Sequence, residues 1–240
     1  MQAIILNSGI GKRLLSLTSV KPKCLLEIKG KKILEYQLEA LTENNIENIL
    51  ITTGPFENQI KDFVSQRFPN LNITYVNNPK YDTTNYIYSI WLAKNQIVDT
   101  VILLHGDLVF DKDLAKKLIE SKEDNYVLVN KLITPPEKDF KALLKLGYVS
   151  KIAVDLEGEN VFFLAPFYKI YQNDFQKWLL KISNYVEHDK TTLYAEDALN
   201  EILNDVILKP LFYEDEVCKE IDTYEDIVLL EKLLLKNSLH

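Results

Sequence analysis

The opening stretch of this chain, MQAIILNSGIGKRLLSLTSVKPKCLLE, constrains it more than any other. Ala3, Ile4, Ile5 and Leu6 form a short apolar run of strand type that breaks into a turn containing Gly9 and Gly11. Lys12 and Arg13 follow at once, and Lys23 comes directly after Pro22. A buried strand, a small-residue turn and three cations close behind suit a polyphosphate. Glycines let backbone N–H groups approach phosphate oxygens, and the cations neutralise what the amides leave. Taken alone, the same residues also describe a plain strand–helix turn with Lys12 and Arg13 solvated.

Beyond the turn, short apolar runs alternate with helical stripes. The pattern predicts a helix over 33–44, a strand over 46–53 closed by Gly54 and Pro55, and a helix over 58–68. A strand over 73–76, polar turn residues over 77–85, a helix over 86–94 and a strand over 100–104 come next. That last strand breaks at His105-Gly106-Asp107, and a helix over 114–120 follows. Strands of this length alternating with helices imply βαβ units, hence a parallel sheet covered on both faces. The expected fold is a three-layer α/β/α sandwich with a mostly parallel, Rossmann-like sheet. Ligands in such sheets bind beyond the carboxyl ends of the strands, and the breaks at Gly9, Gly54 and Gly106 all fall there. From residue 126 the alternation fades: strands are expected over 126–129, 149–154 and 161–164, and helices over 173–186, within 190–208 and over 226–236. With no linker, repeat or low-complexity run, the chain reads as one domain. Residues 126–240 are expected to add strands, a lid and a closing helix to the same sheet. That last helix is expected to cover the core; a homodimer stays open.

Charge narrows the classes of partner. A net charge of −7, from 28 basic and 35 acidic residues, argues against nucleic acid, whose binders carry a basic surplus. A nucleotide needs only a few local cations. No apolar run approaches the roughly 18 residues of a membrane span. Cys24 and Cys218, far apart in a chain showing no signal peptide, read as reduced thiols of a cytoplasmic protein.

Two common phosphate loops are excluded by residues. A dinucleotide fingerprint from Gly9 requires glycine at Leu14 and an acidic residue ending the second strand, where Thr52, Thr53 and Gly54 stand. The Gly-Lys-Ser/Thr of a P-loop is absent. A second cluster is more telling. Gly106-Asp107 puts a carboxylate on the rim of the glycine turn, and Glu220-Ile221-Asp222 is placed to bring another. If extended, that segment points Glu220 and Asp222 to one side. Two carboxylates near a polyphosphate are a usual means of holding Mg²⁺.

These motifs resemble the nucleotidylyltransferases with the nucleotide-sugar transferase type of fold. The opening strand, the Gly9-Ile10-Gly11-Lys12-Arg13 loop and Pro22-Lys23-Cys24-Leu25-Leu26 match that family's signature. Gly106-Asp107 matches its first magnesium aspartate and Glu220-Ile221-Asp222 its second. Asn78-Pro79-Lys80-Tyr81-Asp82-Thr83-Thr84-Asn85-Tyr86-Ile87-Tyr88-Ser89, with Tyr194-Ala195-Glu196-Asp197, resembles the branch of small cytidylyltransferases acting on phosphocholine and 2-aminoethylphosphonate. The family's usual pair of small residues, most often Ala-Ala, is here Asn7-Ser8. Between 133 and 160 the likeness fades, and only Lys141 is carried over.

The resemblance implies transfer of CMP from CTP to a small phosphate or phosphonate acceptor, with Mg²⁺ as cofactor and release of pyrophosphate. Arg13 and Lys23 are the expected catalytic cations. Leu6, Asn7, Ser8, Gly9, Gly11, Lys12, Gly54, Asn85 and Ser89 are expected at the nucleotide, with Asp107 and Asp222 on the metal. Lys141, Tyr194, Glu196, Asp197 and Glu220 are expected at the acceptor, whose ammonium suits aromatic faces and carboxylates; Trp91 and Tyr168 are further candidates, Trp91 reading mainly as core. Asn85 also reads as a helix cap. The acceptor oxygen is already anionic, so no general base is required, in keeping with three histidines in no evident triad or metal spacing. The rival readings are a sugar-1-phosphate nucleotidylyltransferase using UTP, dTTP or GTP, and a non-catalytic nucleotide-binding module.

Overall fold

A computed structural model describes residues 1–122 and 125–237. Strand β1 (Gln2–Asn7) is buried along its whole length, as expected of a strand covered on both faces. It pairs in parallel with β2 (Asn48–Thr53), which pairs in parallel with β3 (Ile73–Asn77). On its other side β1 pairs in parallel with β4 (Val101–His105). Alternate residues of β1 serve opposite layers. Ile4 and Leu6 join a cluster with Ile87 and Ile90 of α3 (Tyr86–Ala93). Ala3 and Ile5 join another with Leu34, Leu38 and Leu41 of α1 (Ile33–Glu43), and with Ile60 and Val64 of α2 (Glu57–Arg67).

The register levels the strand ends. Asn7 lies opposite Thr53, and Leu6 opposite His105. The three breaks expected after β1, β2 and β4 therefore sit on one rim.

Beyond β4 lie a short strand β5 (Leu108–Phe110) and α4 (Lys112–Glu120). The second half then extends the same sheet through β6 (Asn125–Asn130), β7 (Lys141–Lys145), β8 (Tyr148–Ala153) and β9 (Val161–Ile170). The main path runs β8-β7-β9-β4-β1-β2-β3, with β6 beside β9. Strand β9 is antiparallel to β4, β6 and β7. Its register with β6 shifts between Ala165 and Tyr168, across Pro166, which has no N–H to give a ladder. The expected strand ended at residue 164 because this proline interrupts the run. Strand β10 (Leu208–Tyr213) carries Pro210 and pairs with β6 alone, an edge position that tolerates proline. Neither β7 nor β10 is evident from pattern.

Helices α5 (Gln172–Glu187) and α6 (Ala195–Asn200) cover the same face as α3, through Phe175, Trp178, Ile182 and Ala198. Strand β11 (Cys218–Glu220) pairs with β5, and α7 (Tyr224–Asn237) closes the chain over a third cluster containing Val109, Ile221, Ile227 and Leu230. The closing helix thus covers core. Cys24 and Cys218 are both buried and unbridged. Among the described residues no helix is long and apolar enough to cross a membrane.

Candidate active site

The turn between β4 and β5 places Asp107, and a buried amide secures it. Gln37 sits on the apolar face of α1 with no exposure. Its Nε2 donates to the carbonyls of His105, 2.9 Å, and Leu108, 2.8 Å, the two ends of the break. Gly106 is obligatory for a second reason. A Cβ there would lie 1.8 Å from Asn7 Oδ1 and 2.6 Å from the Leu6 carbonyl, so β4 can turn past β1 only where that atom is missing.

At the other side of the rim, Gly11 adopts φ +63°, a left-handed conformation that suits glycine. The stem of Lys23 runs against it, with Lys23 Cβ 3.3 Å from where a Gly11 Cβ would stand. Lys23 Nζ reaches Asp107 Oδ2 and Asp222 Oδ1, both at 2.6 Å. Arg13 Nη1 holds the other Asp222 oxygen at 2.8 Å. The four charged residues converge, although they come from three separate parts of the chain.

Burial pulls the Lys23 ammonium down, but Asp107 and Asp222 outweigh it and raise its pKa above the ordinary lysine value. Burial likewise works against the Asp107 carboxylate, while Lys23 and His105 hold it below the usual aspartate range. Beneath them His105 Nδ1 lies 3.1 Å from Glu220 Oε1. Burial pushes Glu220 up to about 7, with Asp107 and Asp222 adding to the effect and His105 opposing it. Burial lowers His105, but the hydrogen bond and charge of Glu220 raise it above the ordinary histidine value.

This arrangement fits a divalent cation. Among the described residues Asp107 Oδ1 is buried with no hydrogen-bond partner, and a buried carboxylate oxygen calls for a donor or a cation. Ligand atoms of His105, Asp107 and Glu220 all lie within 4.8 Å of one another. The expected pair was Asp107 with Asp222; here Asp222 reaches Asp107 through Lys23, and the cluster includes a histidine. Spacing between histidines along the chain does not single out His105. Its relation to Asp107, two residues on at the end of a strand, was the available signal.

A cleft of about 460 Å³ opens over these groups. Leu6, Asn7, Ser8, Gly9, Gly11, Lys12, Arg13, Lys23, Asn85, Ser89, Asp107, Tyr194 and Asp222, all expected at the site, line it. Ser89 Oγ donates to Ser8 Oγ at 3.0 Å and accepts from Asn78 Nδ2 at 3.0 Å, so the departure at Asn7-Ser8 is built into a polar ladder. Asn7 Nδ2 is buried without a partner. The Asn85 side chain caps α3, accepting from Tyr86 N at 2.8 Å, which satisfies the cap reading while it borders the cleft.

Four rings bordering the cleft form a closed circuit that includes His105. Centroid separations are 4.7 Å for Tyr86–His105, 6.2 Å for His105–Phe140, 5.0 Å for Phe140–Tyr194 and 6.1 Å for Tyr194–Tyr86. Phe140 and the adjacent Lys138 line the cleft but fall where the likeness to the family fades.

Other expected acceptor residues take different places. Lys141 donates its ammonium to the carbonyls of Glu137, 3.0 Å, Asp139, 3.4 Å, and Val154. It pins the loop before β7 and does not line the cleft. Glu196 is 1% exposed and accepts from the hydroxyls of Tyr86 and Tyr168, the latter at 2.9 Å; it supports Tyr86 from below. Asp197 Oδ2 accepts from Tyr194 N at 2.9 Å, capping α6. Gly54 lies under the loop, where a Cβ would meet the Ser8 carbonyl at 2.3 Å, and it borders a separate cleft. Trp91 packs against the core and stacks on Tyr88 at 5.4 Å.

A glycine loop, converging cations and a carboxylate cluster stand together at the carboxyl ends of a parallel sheet, and the chain belongs to the Nucleotidyl transferase family, whose profile matches residues 2–143. Among individual proteins it is similar to the CTP:phosphoglutamine cytidylyltransferase of Campylobacter jejuni subsp. jejuni, 34% identical over 137 residues, 55% of this chain and 53% of that one. It is also similar to the CMP-5'-(3-aminopropyl)phosphonate synthase of Streptomyces rubellomurinus, 28% identical over 135 residues, 56% of this chain and 22% of that one. The chain thus spans about half the length of the first relative and less of the second. Its fold matches the solved CTP:phosphocholine cytidylyltransferase from Streptococcus pneumoniae with a TM-score of 0.81, over 97% of this chain and 98% of that one, at 23% identity.

Proposed function

We propose that the chain transfers CMP from CTP to a small acceptor bearing a phosphate or phosphonate and a nitrogen-containing end, releasing pyrophosphate. The observation that carries this reading is the convergence of Arg13 and Lys23 with Asp107 and Asp222 beside the Gly9–Gly11 loop. The choice of CTP rests on the relatives named above. In this reading residues 1–125 hold the nucleotide, and residues 126–240 complete the acceptor end.

The obstacle is electrostatic: two anions must meet while charge builds on the leaving pyrophosphate, so catalysis is positioning plus neutralisation. The loop amides and Arg13 bind the β and γ phosphates. Lys23 holds the α-phosphate and the acceptor oxyanion together. Asp107 with Glu220 and His105, and Asp222 beside Lys23, would hold the divalent cation, Mg²⁺ by its preference for oxygen, which would supply Lewis-acid stabilisation when bound. Ser8, Ser89 and Asn78 orient the nucleoside end. The ring circuit of Tyr86, His105, Phe140 and Tyr194 offers faces to the acceptor's nitrogen-bearing end and keeps water from the oxygen that attacks.

The deciding experiment is a screen for pyrophosphate release with CTP and Mg²⁺ against phosphocholine, 2-aminoethylphosphonate, phosphoethanolamine, a phosphorylated glutamine and several sugar phosphates. UTP, dTTP and GTP serve as alternative donors. Release with CTP and one of the nitrogen-bearing acceptors is expected. Preference for a sugar 1-phosphate with another triphosphate would overturn the CTP reading, and nucleotide binding without turnover on any acceptor would overturn the catalytic one.

A further inference from the structure

Three buried side chains on the wall of the cleft form a hydrogen-bonded line whose direction is fixed at its inner end. The backbone N–H of Lys80 donates to Asn78 Oδ1 at 2.8 Å. A backbone N–H cannot reverse its role, so the other atom of that amide is the Nδ2 donor. Its two hydrogens go to Thr84 Oγ1 at 3.1 Å and Ser89 Oγ at 3.0 Å. Ser89 therefore accepts from Asn78, and its own proton passes on to Ser8 Oγ at 3.0 Å. Turning that last bond round would strand the Ser89 proton in a residue with no exposure, and a buried donor left unpaired is unfavourable. Ser8 Oγ accordingly accepts from within the protein, and among the described residues its own proton has no acceptor. Asn78 and Ser8 are themselves buried, and all three residues line the cleft.

From this polarity we infer that Ser8 presents a hydrogen-bond donor to the nucleobase, and that its partner is a ring nitrogen bearing a lone pair, N3 of cytosine. The inference rests on the reading of the cleft as a nucleotide site, with the phosphates at the Gly9–Gly11 loop and the base on the side of Ser8 and Ser89. Uracil and thymine carry an N–H at that ring position, where the Ser8 proton would meet another proton. A free hydroxyl cannot make this distinction, because it donates or accepts by turning. The Asn78 amide removes that freedom through Ser89, from a place that need not touch the base. A mismatched pair discriminates more strongly than a missing contact, since it leaves polar groups desolvated and unpaired. Ser8 is thus a specificity-determining residue, and Asn78 is the positioning residue that aims its proton.

The test changes single atoms of the ligand and of the line. Calorimetry with Mg²⁺ and no acceptor compares CTP, UTP and 3-deaza-CTP, in which C–H replaces N3, on wild type, Ser8→Ala, Asn78→Asp and the double variant. Wild type is expected to bind 3-deaza-CTP roughly tenfold more weakly than CTP, the size of one lost hydrogen bond, and Ser8→Ala to bind the two alike. Equal binding of the two by wild type overturns the inference whatever the variants do, and so does a difference that survives in Ser8→Ala. Asn78→Asp keeps the shape and the Lys80 bond but puts an acceptor where Nδ2 stood. The line then runs backwards: Ser89 donates to the new carboxylate, Ser8 donates to Ser89, and Ser8 shows the cleft a lone pair. The preference for CTP over UTP is expected to fall by roughly tenfold or more in that variant, and to stay put when the same change is made in Ser8→Ala. An unchanged preference in folded Asn78→Asp overturns the inference as well. Turnover of CTP by wild type with the nitrogen-bearing acceptors, followed in parallel, keeps the two readings apart. Turnover with CTP and 3-deaza-CTP bound alike removes the Ser8 contact and leaves the cytidylyltransferase standing. A Ser8-dependent preference for CTP with no turnover on any acceptor upholds the contact and removes the enzyme.

Discussion

Asp107 holds two demands at one side chain: Oδ2 neutralises Lys23 at 2.6 Å, and Oδ1 is buried with no hydrogen-bond partner among the described residues. Asp107→Asn keeps the shape, removes the charge and leaves Lys23 paired with Asp222 alone. Metal-dependent turnover is expected to fall by roughly a hundredfold or more, with the folded state retained by circular dichroism; wild-type kcat at saturating Mg²⁺ would remove Asp107 from the site. Gly106 next to it is a steric matter. Gly106→Ala is expected to cost about 2–3 kcal/mol in urea unfolding, because Asn7 Oδ1 and the Leu6 carbonyl both stand inside contact distance of the new Cβ. Adding Asn7→Ala should recover part of the loss and no more, since the Leu6 carbonyl is backbone. Full recovery would show that the side chain alone sets the limit. At this scale the sequence speaks through residue type: the glycines, Lys23 and Asp107 stand at one cleft, as the motifs lead one to expect. Glu196 and Lys141 do not line it, since a buried charge that bonds to its neighbours looks, in sequence, like one that faces a ligand.

Helix α1 shows how an element aims the turn that carries Asp107. Its stripe of Ile33, Leu34, Leu38 and Leu41 was readable by period, yet Gln37 lies among them, fully buried, and ties together the two ends of the break that carries Asp107. Gln37→Met preserves volume but strands the carbonyls of His105 and Leu108. The expected result is a loss of about 2 kcal/mol in stability and a fall in kcat with the KM for CTP little changed; unchanged kcat would mean the turn holds without it. The loop before β7 is governed similarly. Lys141 gathers the carbonyls of Glu137, Asp139 and Val154, and the same loop brings Lys138 and Phe140 to the cleft. Lys141→Met is therefore expected to raise the acceptor KM several-fold while leaving the KM for CTP near wild type. Equal effects on both substrates would contradict a role confined to the acceptor end. Neither function was visible beforehand, because a side chain that bonds to backbone carbonyls leaves no trace in residue spacing.

Across the molecule, the second half completes a sheet the first half cannot close. Strand β9 caps the outer edge of β4 through residues 167–170, and Trp178, Phe175 and Ile182 of α5 fill the layer over Ile4, Leu50 and Leu103. A chain cut to residues 1–125 exposes that edge and loses most of that cluster. It is expected to show no cooperative thermal transition and no slowly exchanging amides in β1 or β4, although it carries the entire glycine loop. Slow exchange in the fragment would show that the nucleotide half folds by itself.

The residues alone determined that β1, β2 and β4 are buried, that they end together, and that a loop of glycines and cations follows the first of them. Local polarity and backbone freedom dictate those features within a few positions of the chain. Contacts between distant segments decided the rest. Lys23 meets Asp222 across 199 residues, His105 meets Glu220 across 115, and Phe140 meets Tyr194 through packing. Such pairs lower the free energy only once the sheet has brought their strands to one rim, because charge and ring interactions act over a few ångströms and depend on neighbours the local sequence does not name.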